Sequence, residues 1–136
     1  RKVLGSIIFQ DSRARATLNG ITHHRIRCNI EERIKKFLDQ DVDVVVVEAA
    51  LLIEAGWSSL ADDIWVIYSP EKLVVQRLRE RNGLCEGDVS SRIRAQMPFE
   101  EIAQYANVIV DNSGNKQELG VYVQELWDKR VKGSGA

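Results

Sequence analysis

Five arginines, Arg77, Arg79, Arg81, Arg92 and Arg94, fall within 18 residues, with Glu80, Glu86 and Asp88 the only acids among them. Arg77 and Arg81 are four apart, so one helix face would carry both, while Arg92 and Arg94 belong to the next predicted helix. Two short arginine-bearing helices hinged at Asn82-Gly83 could close over a phosphate chain. The guanidinium suits that task because its planar fork stays charged and grips phosphate oxygens bidentately. The same spacing also suits a solvated helix face paired with Glu80 and its neighbours, and the residues alone leave both readings open.

Other polar groups are more ordinary. Glu48 and Glu54 flank a short apolar stretch and are candidate carboxylates, or else a helix cap and an ion-pair partner. Asp111-Asn112-Ser113-Gly114 reads as a turn opening a helix, whose amides and Asn112 could hold an adenine edge or an anion. His23 and His24 are adjacent and cannot share a helix face, and no cysteine or carboxylate completes a metal set at a usual spacing. No metal ligand is therefore assigned. No G-x-S-x-G nucleophile pattern is present, and no G-x-x-x-x-G-K-[ST] phosphate loop occurs anywhere.

These residues need elements to position them. Asp11 and Ser12 offer N-caps for a short helix ending at Gly20, and a longer helix is expected from Thr22 to about Gln40 with Ile26, Ile30, Ile34 and Leu38 in one stripe. Four consecutive valines within residues 41–48 predict a strand buried on both faces of a parallel sheet. Residues 64–68 predict a second strand, and Ser69-Pro70-Glu71 then supplies an N-cap, a first-turn proline and an acid for a helix to Arg81, stopped at Asn82-Gly83. Shorter helices are expected over 86–96 and 98–105, a third strand over 108–110 and a last helix over about 115–131. Strands alternating with helices imply an α/β fold with parallel pairing. Ligands then bind beyond the carboxyl ends of the strands, which directs attention to residues 49–54, to Ser69 onward and to 111–114.

Composition bounds the function classes. The 136 residues carry 19 Lys plus Arg against 20 Asp plus Glu, for a net charge of −1, so nothing draws the whole chain to nucleic acid or an anionic membrane. With 44% hydrophobic and 29% charged residues, one ordinary globular domain is expected, and no apolar run approaches the ~20 residues of a membrane span. Two cysteines, Cys28 and Cys85, make no disulfide framework, so a reduced, cytoplasmic setting is the default. The chain begins at Arg1 and its only methionine is Met97, which leads to the expectation that it is part of a longer protein. Residues 132–136 read as a flexible tail.

Taken in order, several strings resemble the dephospho-coenzyme A kinase family over nearly the whole chain. They are Leu4-Gly5 with Ile8-Phe9, Leu18-Asn19-Gly20-Ile21-Thr22-His23, Leu51-Leu52-Ile53-Glu54, and Arg77 with Arg81-Asn82-Gly83-Leu84. Arg92-Ile93, Ala95-Gln96-Met97-Pro98 and Val108-Ile109-Val110-Asp111-Asn112-Ser113-Gly114 complete the set. That resemblance implies a P-loop nucleotide-kinase sheet with helices on both faces and transfer of the ATP γ-phosphate to the 3′-hydroxyl of dephospho-coenzyme A, with Mg²⁺. It implies a helical acceptor-binding region over residues 1–40 and an α/β core over 41–131 with a lid at about 77–97. Asn19, His23, Leu51, Leu52 and Glu54 would meet the acceptor. Arg77 and Arg81 would meet ATP, with Arg81 on its phosphates as the catalytic cation, and Asn112 with Gly114 would border the adenine. The family's first strand, phosphate loop and catalytic Asp have no counterpart in the sequence, so the chain alone is expected to be inactive. Mg²⁺ would be bound mainly through that missing part. Residues 42–48 and 64–68 would then need an unseen segment, another chain or a new neighbour to complete the sheet. His24, Ala50, Asn82, Ile102 and Asn107 depart from the family pattern. A non-catalytic nucleotide- or coenzyme A-binding module derived from such a kinase is the competing reading.

Overall fold

Asp11 begins the longest element. Its carboxylate accepts hydrogen bonds from the Arg13 and Ala14 amides (2.8 and 3.2 Å), satisfying donors that have no partner inside a helix. The resulting helix α2 (Ser12–Leu38) follows α1 (Lys2–Gln10), which takes up the apolar opening segment. A computed structural model describes residues 2–83 and 85–133, so Leu84 and most of the expected tail lie outside the described residues.

Gly20 does not end a helix, contrary to the sequence expectation. It is exposed, keeps a helical backbone and sits within a continuous α2. Carrying one glycine costs ~1 kcal/mol relative to alanine, less than nucleating a second helix.

The remaining elements are β1 (Trp65–Tyr68), α3 (Glu71–Asn82), α4 (Glu86–Arg94), α5 (Phe99–Ile102), β2 (Val108–Asp111) and α6 (Lys116–Trp127). A 3-10 turn at Ser58–Leu60, another at Ala103–Tyr105 and a π-type turn at Asp128–Lys132 complete them. Gly83 ends α3 in the left-handed conformation (φ 61°) that its missing Cβ permits, as the Asn82-Gly83 pair predicts. Ser69 does not cap α3, however. Pro70 occupies the cap position with no side-chain hydrogen bond, and the Ser69 hydroxyl is used elsewhere.

The structure is α/β with a small parallel sheet. β1 and β2 pair in register Trp65↔Val108 through Tyr68↔Asp111, so both strands end together. Residues 42–48 correct the expectation of a first strand: they are extended but belong to no ladder among the described residues, and Val46 is 74% exposed. An apolar run supplies the tendency to extend. Only a neighbouring strand makes it a ladder.

The chain divides into two compact units. The first comprises residues 1–62 with 85–97, the second 63–84 with 98–136. In the first, α1 packs on α2 and α4, Arg15 Nη1 donates to the Ile8 carbonyl (3.3 Å), and Trp57 and Val89 are buried. In the second, Val110 is fully buried and Tyr68 packs on Phe99 at 4.7 Å between ring centroids. Arg130 donates from Nε and Nη2 to the two Asp63 oxygens (2.9 and 2.8 Å), and Trp65 Nε1 donates to the same carboxylate (2.8 Å). No described helix is long and apolar enough to cross a membrane.

Candidate functional site

In the second unit, the paired strand ends deliver two loops side by side, and α3 leaves from the first of them. The Asn112 amide donates to the Tyr68 carbonyl (2.8 Å), extending the pairing one residue past β2. Ser113 N–H then donates to Asp111 Oδ1 (2.8 Å), and Asn115 N–H to Glu118 Oε2 (3.0 Å). Asn115 Oδ1 accepts in return from the Gln117 and Glu118 amides (2.9 and 3.0 Å), so a reciprocal capping box starts α6. A Cβ on Gly114 would meet the Glu118 carboxylate, the mobile end of a side chain that would have to shift to make room.

Beside this loop lies an open cleft of about 610 Å³ bounded by Ser69, Arg77, Leu78, Glu80, Arg81 and Asn112. It sits beyond the carboxyl ends of parallel strands, where open α/β sheets take ligands. The structure thus brings Arg77, Arg81 and Asn112 together, with Gly114 joined to them through Arg77.

The two arginines are held differently. Arg77 is half-buried, and its Nη1 donates to the Asn112 carbonyl (2.9 Å) and, more weakly, to Ser69 Oγ (3.4 Å). Its Nη2 donates to the Gly114 carbonyl (3.3 Å). Arg81 is exposed; its Nε donates to Asn82 Oδ1 (3.0 Å), and its terminal nitrogens have no hydrogen-bond partner among the described residues. Asn82 therefore keeps an acceptor for Arg81 without neutralising it.

The residues expected to meet an acceptor lie in the first unit. Asn19 and His23 are on α2, both half-buried, and the His23 ring meets the buried Trp57 edge-on at 5.4 Å. Leu51 and Leu52 lie in a run of turns closed by Ala55 N–H to the Leu51 carbonyl and Trp57 N–H to the Leu52 carbonyl (both 2.9 Å). Glu54 Oε1 accepts from the Met97 amide (3.0 Å), so it caps the segment after α4 and starts no helix of its own. Glu48 is exposed. Arg92 and Arg94 are on α4, half-buried and exposed respectively.

The sequence reading gives Trp57 no role and gives Ser69 that of a helix cap, whereas the Ser69 hydroxyl reaches the Asn112 carbonyl. Trp57 follows Gly56, whose positive φ (70°) aims the chain inward, but a lone tryptophan after a glycine names no partner. Ser69 precedes a proline and an acid, a pattern that fits a helix cap equally well. Among the described residues no three His, Cys, Asp or Glu side chains cluster to hold a metal ion.

The second unit is thus a parallel α/β unit with an open cleft at its strand ends, walled in part by Arg81 and Asn112. The sequence model of the dephospho-CoA kinase family matches residues 1–118. The dephospho-CoA kinase of Geobacter sulfurreducens is 45% identical over 130 residues, covering 96% of this chain and 66% of that protein. That of Carboxydothermus hydrogenoformans is 42% identical over 115 residues, 85% of this chain and 56% of that protein. A Thermus thermophilus crystal structure superposes with a TM-score of 0.74 at 26% identity, over 96% of this chain and 66% of the other. A dephospho-CoA kinase from Campylobacter jejuni gives 0.64 at 29% identity, over 98% and 66%. The chain belongs to the dephospho-CoA kinase family, and it spans from 56% to 67% of the length of the curated relatives it matches.

Proposed function

We propose that these residues form the larger part of a dephospho-CoA kinase, a cytoplasmic enzyme that passes the ATP γ-phosphate to the 3′-hydroxyl of dephospho-coenzyme A. The observation that carries the reading is the second-unit cleft, where Arg81 offers two unpaired terminal nitrogens and Asn112 a carboxamide within one family-matched stretch. A carboxamide holds a donor and an acceptor side by side, which matches the edge of adenine. Phosphoryl transfer needs positioning and neutralisation of spreading charge, and a cation such as Arg81 supplies both.

In the same reading residues 1–40 are the helical acceptor-binding region, with Asn19 and His23 meeting the acceptor, and Leu51, Leu52 and Glu54 lie beside it. Residues 77–97 are the lid, and the sheet is of the P-loop kinase type. Mg²⁺ accompanies ATP and is held mainly by groups outside these 136 residues. Small molecules are the partners, without nucleic acid or membrane.

Because the 136 residues contain no G-x-x-x-x-G-K-[ST], nothing in them cradles the β- and γ-phosphates. ADP release should depend on dephospho-coenzyme A in a complete kinase carrying this sequence, at about 1–100 per second. The 136-residue chain alone should give none. Turnover by the short chain would overturn its role as an incomplete part, and a complete enzyme indifferent to dephospho-coenzyme A would overturn the substrate.

A further inference from the structure

We propose that Arg77 and Ser69 are positioning residues that latch the 112–114 loop for a nucleobase, and that Arg77 is not a ligand of the phosphate chain. The inference rests on the nucleotide-binding reading of the cleft and deepens it.

The guanidinium fork spans two backbone carbonyls two residues apart: Nη1 on Asn112 (2.9 Å), Nη2 on Gly114 (3.3 Å). The Ser69 hydroxyl donates to the same Asn112 carbonyl (3.1 Å) and lies 3.4 Å from Arg77 Nη1. Three residues from three places in the chain therefore close a small polar ring at the carboxyl ends of β1 and β2. Three of the five Arg77 N–H donors are thus turned to protein acceptors, whereas Arg81 one turn further along commits one, its Nε, and keeps both terminal nitrogens for a phosphate.

Three amides of the loop and its edge are also engaged. The Asn112, Ser113 and Asn115 amides donate to Tyr68, Asp111 and Glu118 respectively. With these carbonyls and amides committed to the protein, Asn112 lines the cleft with a carboxamide that has no hydrogen-bond partner among the described residues. A loop held this way arrives in its binding conformation, and a ligand need not order it. Lysine cannot replace Arg77, because an ammonium is a point donor and cannot span both carbonyls in one plane.

The test compares a ligand with phosphates and one without. In a complete kinase carrying this sequence, Kd values for ATP and for adenosine are measured by calorimetry for wild type, Arg77→Lys and Ser69→Ala. Arg77→Lys should weaken both ligands by the same factor, about tenfold, and Ser69→Ala by about threefold, as expected for losing a charge-assisted and a neutral hydrogen bond. KM for ATP should rise accordingly while kcat changes less than about twofold. Loss of ATP affinity with adenosine unaffected would overturn the proposal and make Arg77 a phosphate ligand.

Hydrogen exchange in the ligand-free protein separates this result from the function reading. Exchange of the Asn112, Ser113 and Asn115 amides should accelerate about tenfold in Arg77→Lys while the β1 amides stay protected. Unchanged exchange overturns the latch. If the wild-type enzyme binds neither ATP nor adenosine, the nucleotide reading falls and with it the latch's role toward a base. Should Arg77→Lys fail to fold, Ser69→Ala decides on the same readouts.

Discussion

Arg77 and Arg81 are the same residue type one helical turn apart, yet their surroundings give them different work. Arg77 is fastened to carbonyls 35 and 37 residues away in the chain, while among the described residues Arg81 hydrogen-bonds only to its neighbour Asn82. Their four-residue spacing put both on one helix face from the sequence, but no spacing rule encodes which loop lies opposite that face. The free guanidinium is the one able to follow charge as it develops on a transferred phosphoryl group. In a complete kinase, Arg81→Ala should therefore lower kcat about 100-fold with a smaller change in the KM for ATP. Arg79 is exposed on the same helix but does not line the cleft, and Arg79→Ala should change kcat less than about threefold. Steady-state kinetics on the two variants checks this, and equal losses would mean that general charge, not a directed contact, is what matters. The residues proposed to meet the acceptor are legible in the sequence as strings only. That His23 leans on Trp57 and that Glu54 holds the Met97 amide are facts of tertiary folding between segments far apart in sequence.

At the scale of elements, local chemistry was readable where a cap or stop acts within one turn. Asp11 caps α2, Gly83 ends α3, and the last helix begins beside Asn115, because each depends on side chains two or three residues away. Ser69-Pro70-Glu71 shows the limit: the local pattern says cap, and a carbonyl 43 residues away takes the hydroxyl instead. The same limit hid the joint at the start of β1. Asp63 receives Arg130 and Trp65 together, and the Arg130 guanidinium, hydrogen-bonded to it, holds its carboxyl below the ordinary range despite an opposing effect of burial. A depressed value means that the folded state binds its proton less readily than the unfolded chain does. Its contribution is whole above the ordinary aspartate pKa of about 3.9 and is lost as pH falls through the depressed folded value. Asp63→Asn should lower the urea midpoint at pH 7, and the gap between variant and wild type should close as the pH drops below about 4. Midpoints measured across that range decide the matter, since every other carboxylate is common to both proteins; two parallel curves would show that the joint contributes nothing that titrates.

Across the whole molecule, the α/β class followed from alternating patterns, but the sheet is smaller than the apolar runs suggested. Residues 65–68 and 108–111 found each other, and residues 42–48 found no ladder among the described residues. Four successive valines carry a strong tendency to extend, and the sequence cannot say whether a neighbour stands ready to pair with them. Here Val44 and Val46 are 40% and 74% exposed, and among the described residues the one backbone amide of 42–48 that donates to a backbone carbonyl is Val42, to Phe37 at 3.3 Å. Such a segment presents free N–H and C=O groups on an apolar, β-prone run, the combination that invites another chain to add a strand. In solutions of the 136-residue chain, the amides of 43–48 should exchange within about tenfold of unfolded-chain rates at low concentration, with protection appearing as concentration rises. Sedimentation should show association over the same range, and Val46→Lys should suppress both by placing a charge on the exposed run without touching a buried contact. Slow exchange at 43–48 in a strictly monomeric sample would show that the segment already has a partner within its own chain.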